Sequence, residues 1–235
     1  MAINKIVWLG HASFLFYLDN TVIALDPWFD NPLFPKDFKL PKIDYIFLTH
    51  GHSDHIRSVS EIINQNRDVK ILAVFELALF LKNAYKLLPS QILGVNVGGN
   101  IEIEGLNVKI VNALHSSSVI INNEVISMGT PVGFVISDEK NSIYYSGDTG
   151  LTMDMKIIGD YYNVTYAILP IGGTFTMDYT DVPYAMNLLN TKNIIPMHYN
   201  TFPQVSVKLD NFKNICKENN INVYILAPGE TLSLL

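Results

Sequence analysis

Cysteine and basic residues are scarce in this chain of 235 residues, which has one cysteine and 16 lysines and arginines. A single thiol, Cys216, excludes an intrachain disulfide and the cysteine-rich zinc modules. With 22 acidic residues the net charge is −6, and this disfavours the basic surface typical of nucleic-acid-binding proteins. Nucleic acid is not excluded as a ligand, because a metal site can place local positive charge on an acidic protein.

Long uninterrupted apolar segments are also absent. The longest run, Ile71 to Leu81, contains Glu76 and is too short to span a bilayer, so a buried strand leading into a buried helix is predicted. Met1 to Leu9 lacks the cleavage site and the long apolar core of a signal peptide and predicts a short strand. We therefore expect no membrane segment and a cytoplasmic location.

The residues that are present predict a layered α/β fold in a single domain, residues 1–235. Hydrophobic residues make up 49% of the chain, enough to form a core at this length without disulfides. Runs rich in β-branched and aromatic residues predict strands, and apolar stripes at helical spacing predict helices. The predicted strands are Ile3–Leu9, Ser13–Leu18, Thr21–Leu25, Tyr45–Leu48, Lys70–Val74, Leu106–Ala113, Val132–Ser137, Ser142–Ser146, Tyr166–Leu169, Asn193–Pro196 and Val223–Leu226. The predicted helices are Ile56–Asn66, Glu76–Leu88, Asp154–Tyr162, Val182–Asn190 and Val205–Glu218.

The densest cluster of polar residues is His50-x-His52-x-Asp54-His55, which follows a predicted buried strand. Three imidazoles and a carboxylate this close together need partners, and a cation satisfies all of them. Nitrogen and oxygen ligands of this kind suit zinc, manganese, iron or nickel. A turn that merely carries surface histidines is a poor alternative. The motif therefore predicts a metal site.

Three further candidate ligands stand at the ends of other predicted strands: His115, Asp148 and His198. Side chains at strand ends lie on a rigid scaffold and can converge on one edge of the sheets. These residues and the motif together account for five of the 6 histidines. The sixth, His11, also follows a predicted strand.

The order of these residues resembles the signature of the metallo-β-lactamase superfamily. The flanking segments Trp8–Ser13, Ser146–Gly150 and Pro196–Asn200 look like a branch of metal-dependent hydrolases similar to the L-ascorbate-6-phosphate lactonases and, more distantly, to the N-acyl-phosphatidylethanolamine phospholipase D enzymes. The resemblance implies an αββα four-layer sandwich with the site along one edge. It also implies that His50, His52 and His115 bind one metal, that Asp54, His55 and His198 bind a second, and that Asp148 bridges the two.

We therefore expect a hydrolase that binds two divalent metal ions. Zn²⁺ and Mn²⁺ are the preferred candidates, and Ni²⁺ and Fe²⁺ are the alternatives. A hydroxide between the ions is the expected nucleophile, because metal coordination lowers the pKa of water toward roughly 7. Two divalent ions, two aspartates and one hydroxide leave a net positive site, which favours an anionic small-molecule substrate. A phosphodiester, a lactone or a related ester fits. Asp54 is a candidate proton carrier, and His11 a candidate proton donor or substrate contact.

Several alternatives stay open at this stage. A metal-binding sensor or scaffold without turnover is the main competitor. The flavodiiron enzymes usually have Glu in place of His52, which favours hydrolysis over redox chemistry, and the absence of a signal peptide disfavours a secreted β-lactamase. Asp26 either orients a metal-binding histidine or starts an Asp-Pro turn, and His11 either lines the site or caps a turn.

Flanking segments are less informative. The segment Ser116 to Pro131 either borders the substrate pocket or is an ordinary hairpin loop, and Asn200 and Thr201 are candidate substrate contacts. Cys216 is predicted to pack in the core. The high apolar content is compatible with a homo-oligomer.

Overall fold

The first half of the chain builds six strands and three helices in the computed structural model, which describes residues 2–234. Its strands are β1 (Lys5–Trp8), β2 (Phe14–Tyr17), β3 (Val22–Leu25), β4 (Tyr45–Phe47), β5 (Lys70–Val74) and β6 (Ile92–Val95). Its helices are α1 (Ser53–Ile56), α2 (Val59–Gln65), α3 (Phe75–Tyr85) and the 3₁₀ helix Pro89–Gln91.

The second half adds ten strands and three helices. Its strands are β7 (Asn100–Ile103), β8 (Leu106–Asn112), β9 (Ser118–Ile121), β10 (Glu124–Ser127), β11 (Val132–Ser137), β12 (Ser142–Tyr145), β13 (Tyr166–Pro170), β14 (Asn193–Met197), β15 (Asn222–Val223) and β16 (Thr231–Ser233). Its helices are α4 (Asp154–Tyr162), α5 (Val182–Leu188), α6 (Leu209–Glu218) and the 3₁₀ helices Tyr179–Asp181 and Pro203–Val205.

Two seven-stranded sheets form the body of the molecule, with the orders β16-β1-β2-β3-β4-β5-β6 and β15-β14-β13-β12-β11-β8-β7. In the first sheet β1, β2 and β3 are antiparallel, and β3 to β6 are parallel. In the second sheet β12 to β15 are parallel, and β11 runs opposite to both of its neighbours. The short strands β9 and β10 form a separate hairpin.

The alternation of side chains along the strands explains the four layers. In β1 and β2, Ile6 and Phe14 point to the second sheet, whereas Val7 and Leu15 point to the helices α2 and α3, as the two-residue period of a strand requires. Between the sheets, the rings of Phe47 and Phe134 lie 5.6 Å apart. Helices α4, α5 and α6 cover the other face of the second sheet. The predicted αββα sandwich is confirmed.

Strand direction determines where the candidate ligands meet. In the first sheet β1 runs in the same direction as β3 and β4, and in the second sheet β8 runs in the same direction as β12 and β14. All the candidate ligands follow the carboxyl ends of these strands. Open α/β sheets commonly bind ligands at that edge.

Two predicted helices differ markedly from the structure, and two others, Glu76–Leu88 and Val182–Asn190, end earlier than predicted, at Tyr85 and Leu188. The segment predicted as one helix, Ile56–Asn66, is divided because the N–H of Ser58 donates to the Pro27 carbonyl at 3.0 Å, and the preceding helix α1 contains Asp54 and His55. The segment Val205–Glu218 is helical only from Leu209 onward. Cys216 is buried in α6, as predicted. Within residues 2–234, no helix has the length and apolar character needed to cross a membrane.

Candidate metal centre

Three imidazoles converge in the first of two clusters at the strand-end edge. The Nε2 atom of His50 lies 2.9 Å from Nδ1 of His52, and Nε2 of His115 lies 3.3 Å from that same Nδ1. His50 and His52 come from the loop after β4, and His115 follows β8 of the other sheet. The first cluster therefore joins the two sheets.

The second cluster contains Asp54, His55 and His198. Oδ2 of Asp54 lies 3.8 Å from Nε2 of His55 and 3.8 Å from Nε2 of His198. Asp54 and His55 belong to α1, and His198 follows β14 of the second sheet. His198 adopts a left-handed backbone with φ of 55°, and its N–H donates to the His11 carbonyl at 3.0 Å, which fixes one sheet against the other.

Asp148 lies between the two clusters. Its Oδ2 is 3.1 Å from Nε2 of His198, 3.4 Å from Nε2 of His55 and 3.6 Å from Nε2 of His115. The structure thus brings together all seven residues predicted as metal ligands. Their assignment to individual ions stays a prediction.

Asp26 lies behind the clusters as a fully buried acceptor. Its Oδ2 accepts hydrogen bonds from the Thr49 hydroxyl at 2.6 Å, from Nδ1 of His55 at 2.8 Å and from the Tyr145 hydroxyl at 2.9 Å. Its Oδ1 accepts from the Thr49 N–H at 2.8 Å. Of the two open alternatives for Asp26, the structure favours orientation of a histidine, although the residue also precedes Pro27.

Thr49 extends this network to His50, a role that nothing in the sequence pattern indicated. Because its single hydroxyl proton goes to Asp26, its oxygen accepts from Nδ1 of His50 at 3.0 Å. Nε2 of His50 is then unprotonated and available as a ligand. Tyr145 was also missed. Thr49 directly precedes His50, and Tyr145 directly precedes the loop that carries Asp148. Only the fold shows that the hydroxyl groups of both residues point toward Asp26.

His11 holds Asp54 from the inside of the molecule. Its Nε2 lies 3.0 Å from Oδ2 of Asp54, and its Nδ1 lies 2.9 Å from the Thr201 hydroxyl. Burial lowers the pKa of His11 to about 4, so the ring is neutral at pH 7. Since a carboxylate only accepts, Nε2 carries the proton and Nδ1 accepts from Thr201. His11 is fully buried behind the carboxylate.

Charges at the two clusters are strongly coupled. Burial lowers the pKa of His50 well below its usual value. Burial also opposes charge on His55 and His198, but nearby carboxylates outweigh it, raising the pKa of His55 well above normal and that of His198 to about 9. For Asp148 burial favours the neutral acid, but the imidazoles of His198 and His55 hold its pKa well below the usual range. The carboxylates thus create a negative field that attracts cations.

The donor set fits divalent metal ions. Three buried polar atoms of the clusters, Nε2 of His55, Nδ1 of His198 and Oδ1 of Asp148, have no hydrogen-bond partner within residues 2–234, and buried polar atoms seldom stay unpaired without an ion or water. Tetrahedral zinc with bonds of about 2.0–2.2 Å places its ligand atoms about 3.3 Å apart. The donor separations of 2.9 to 3.8 Å within the clusters bracket that value.

A cleft of about 580 Å³ opens over the clusters, a size usual for small-molecule sites. The candidate ligands His52, Asp54, His115, Asp148 and His198 reach its surface. Ser116, the first residue of the segment predicted as a possible pocket border, also lines the cleft. Sequence reasoning missed the other lining residues, which are Trp28, Ser53, Arg57, Phe175, Phe202 and Gln204.

The other predicted substrate contacts have mixed outcomes. Asn200 and Thr201 are not among the described residues that line the cleft. The Asn200 side chain instead accepts a hydrogen bond from the N–H of Val207, and the Thr201 hydroxyl donates to Nδ1 of His11. The segment Ser116 to Pro131 contains the β9–β10 hairpin, whose Asn122 and Asn123 have positive φ, as a two-residue turn of this type requires. This hairpin also borders a second cleft beside the first.

Comparison with known proteins shows the family of this chain. Residues 5–198 match the family described as Beta-lactamase superfamily domain. A UPF0173 metal-dependent hydrolase of Caldivirga maquilingensis is 40% identical over 231 residues, covering 97% of this chain and 96% of the relative. Another, from Methanopyrus kandleri, is 38% identical over 230 residues, covering 97% and 98%.

A solved structure supports the same conclusion. Igni18, described as a novel metallo hydrolase from Ignicoccus hospitalis, superposes with a TM-score of 0.85 at 32% identity, covering 100% of this chain and 99% of that one. The relatives are hydrolases, which disfavours the sensor alternative. The chain belongs to the metallo-β-lactamase superfamily and is one of its metal-dependent hydrolases.

Proposed function

We propose that the protein uses two divalent ions, Zn²⁺ or Mn²⁺ first, to hydrolyse an anionic small-molecule ester such as a phosphodiester or a lactone. The observation that carries this proposal is the position of Asp148, whose Oδ2 lies within 3.6 Å of imidazoles from both clusters. One ion would be held by His50, His52 and His115 and the other by Asp54, His55 and His198, with Asp148 shared. When bound, the ions supply water of lowered pKa and polarise the scissile C=O or P=O bond.

Neighbouring side chains fix the tautomer and orientation of the candidate metal ligands. Asp26 accepts the Nδ1 proton of His55, and Thr49 accepts that of His50, so both rings keep Nε2 free. Such partners fix the tautomer and the ring orientation, and their loss typically weakens metal binding by about 10–100-fold. His11 acts as a positioning residue, since its Nε2–H holds Oδ2 of Asp54.

Asp54 is the best placed carrier for the proton. Burial favours its neutral form, but His55 and the hydrogen bond from His11 outweigh burial and keep its pKa below the usual range. The carboxylate is therefore ionised and able to accept a proton. Within residues 2–234 its Oδ1 has no hydrogen-bond donor and is available for this step. Hydrolysis then forms a bond from the water oxygen to carbon or phosphorus, breaks the bond to the leaving oxygen and returns the proton to that oxygen.

The charge of the site favours an anion. Four positive charges from two ions exceed the two negative charges of Asp54 and Asp148, and the ligating histidines are neutral. A net positive cleft in a protein of charge −6 draws phosphate or carboxylate groups toward it.

The test is turnover by protein loaded with Mn²⁺ or Zn²⁺ on a panel of phosphodiesters, lactones and carboxylic esters that includes bis-p-nitrophenyl phosphate. We expect two ions per chain by elemental analysis and hydrolysis of at least one class. His52→Ala, which removes a half-buried ligand, should lose turnover by at least 100-fold on the scale of a lost metal-site group. A fully loaded protein that hydrolyses none of the panel would contradict the proposal.

A further inference from the structure

Arg57 is the one arginine or lysine among the described side chains that line the two neighbouring clefts. The clefts share His52, Ser53, Asp54 and Arg57, so the guanidinium lies where they join, next to the candidate metal ligands. Arg57 comes directly after helix α1, and its position is therefore tied to that of Asp54.

The guanidinium is available for a ligand. Its Nε donates to Oδ2 of Asp30 at 3.0 Å, but the two side chains are 56% and 60% exposed, and exposed pairs of this kind contribute little stability. Within residues 2–234 its two terminal nitrogens have no hydrogen-bond partner. A guanidinium with free N–H groups binds a carboxylate or phosphate through two parallel hydrogen bonds.

Three aromatic side chains line the first cleft together with the metal ligands and are called the aromatic wall below: Trp28, Phe175 and Phe202. The rings of Phe175 and Phe202 are 6.3 Å apart, and Phe175 is 53% exposed. Neighbouring apolar side chains that are exposed together at a cleft mark a binding surface more often than single exposed ones do.

The backbone that presents Phe175 is strained. Thr174 has a φ of 42°, which is unusual for a β-branched residue. Its hydroxyl donates to the Gln204 carbonyl at 2.8 Å, which ties this loop to the loop that carries Phe202. Backbone strain that is held by such a contact is typical of ligand-binding segments.

We propose that Arg57 and the aromatic wall determine substrate specificity, and that the substrate is an ester with both an anionic group and an aromatic or long alkyl group. The anionic carboxylate or phosphate binds the Arg57 fork, and the apolar group packs on Trp28, Phe175 and Phe202. This inference rests on the proposed function, because it places the scissile bond between these two contacts at the metal ligands.

Binding of matched probes to the metal-loaded protein tests the role of Arg57 without turnover. By calorimetry we expect 2-naphthoate to bind more tightly than neutral 2-naphthamide. Arg57→Met should reduce this preference by roughly tenfold, the usual effect of losing a hydrogen bond to a charged group. Arg57→Lys should recover part of it. The control is Arg67→Met, because Arg67 is the only other arginine of the chain and is exposed away from the clefts.

The aromatic wall has its own test. Phe175→Ala combined with Phe202→Ala should weaken 2-naphthoate and 2-naphthamide by the same factor, roughly tenfold for lost apolar burial, and leave acetate unchanged. The control, Tyr161→Ala, removes an exposed aromatic side chain from α4 and should change none of the three. All variants are compared at equal metal content and after a check of Tm.

The outcomes separate this inference from the proposed function. A naphthoate-to-naphthamide preference in Arg57→Met within twofold of the wild-type value overturns the role of Arg57, and unchanged naphthyl binding in the double variant overturns the role of the wall, even if the ester panel shows turnover. Absence of turnover on the panel, together with the expected binding pattern, overturns hydrolysis of these esters and leaves the amphiphilic anion site intact.

Discussion

At the scale of single residues, the most consequential side chain is one that does not reach the cleft. Asp26 has four donors around it, from Thr49, His55 and Tyr145, and these donors come from both sheets. Its φ of 42° is uncommon for a residue other than glycine. The fold holds this conformation because it points the carboxylate at the back of His55.

Asp26→Asn should weaken metal binding by about 10–100-fold, the usual cost of losing a partner that orients a ligating histidine. An amide cannot satisfy the site: whichever way it turns, its NH₂ group faces a donor N–H or O–H. The unpaired groups should also cost about 2–3 kcal/mol of stability. Competition with a chromophoric chelator, at a temperature well below unfolding, measures the metal affinity.

The matched control for that experiment is Asp37→Asn, which changes an exposed aspartate in the loop after β3 and should leave the metal affinity unaltered. A metal affinity in Asp26→Asn within threefold of wild type would show that Asp26 is only a structural residue of the Asp-Pro turn.

At the scale of strands and loops, the site depends on sharp turns at the carboxyl ends of parallel strands. Gly147 connects β12 to Asp148 with φ of 58°, and a Cβ atom there would lie 2.6 Å from Cβ of Thr49. The absence of a side chain therefore lets the β12 loop approach the loop after β4 closely enough for Asp148 to meet the histidines.

Gly147→Ala should destabilise the protein by about 3 kcal/mol, since left-handed strain of about 1 kcal/mol adds to overpacking of about 1–3 kcal/mol. It should also weaken metal binding, because the clash displaces Thr49, which orients His50. Urea unfolding of chelated protein, followed by tryptophan fluorescence, measures the stability.

Gly98→Ala provides the comparison. Gly98 also has a positive φ, of 84°, but a Cβ atom there meets nothing within 4 Å, so only the conformational cost of about 1 kcal/mol applies. Equal losses of stability in the two variants would mean that the contact with Thr49 is irrelevant.

The elements themselves were predicted well where local pattern is strong. The predicted bounds of Lys70–Val74, Val132–Ser137 and Asp154–Tyr162 match the structure. The two strands are continuous, almost entirely buried apolar runs, and the helix has apolar residues at helical spacing. Strand β16 (Thr231–Ser233) was missed, since three mostly exposed residues carry no pattern, and its pairing with β1 comes from the opposite end of the chain.

The candidate site likewise contains residues that the sequence predicted and residues that it did not. The seven predicted ligands could be found from the sequence because metal-binding residue types follow strand ends in a recognisable order. Arg57 and Phe175 could not, because each is an ordinary residue type that becomes part of the cleft only through the approach of loops far apart in the chain. The arrangement of hydrogen bonds around Asp26 was likewise beyond prediction, since it needs side-chain positions from both sheets.

At the scale of the whole molecule, the candidate metal centre joins the two sheets. His50, His52, Asp54 and His55 follow a strand of the first sheet, whereas His115, Asp148 and His198 follow strands of the second. Without metal, the contacts across this edge depend on a few hydrogen bonds, such as the one from the His198 N–H to the His11 carbonyl at 3.0 Å. A bound ion therefore links elements that separate on unfolding.

Metal removal should lower the Tm substantially. A ligand at 100 times its Kd stabilises the native state by about 2.7 kcal/mol, and in a chain of this size each kcal/mol shifts Tm by about 2–4 °C. We expect a drop of about 5–10 °C after chelation, reversed by added Zn²⁺ or Mn²⁺, as measured by scanning calorimetry. His115→Ala should shrink this metal-dependent shift, because it deletes a donor of the second sheet. A Tm that is the same with and without metal, at full occupancy by elemental analysis, would mean that the ions bind without holding the two sheets together.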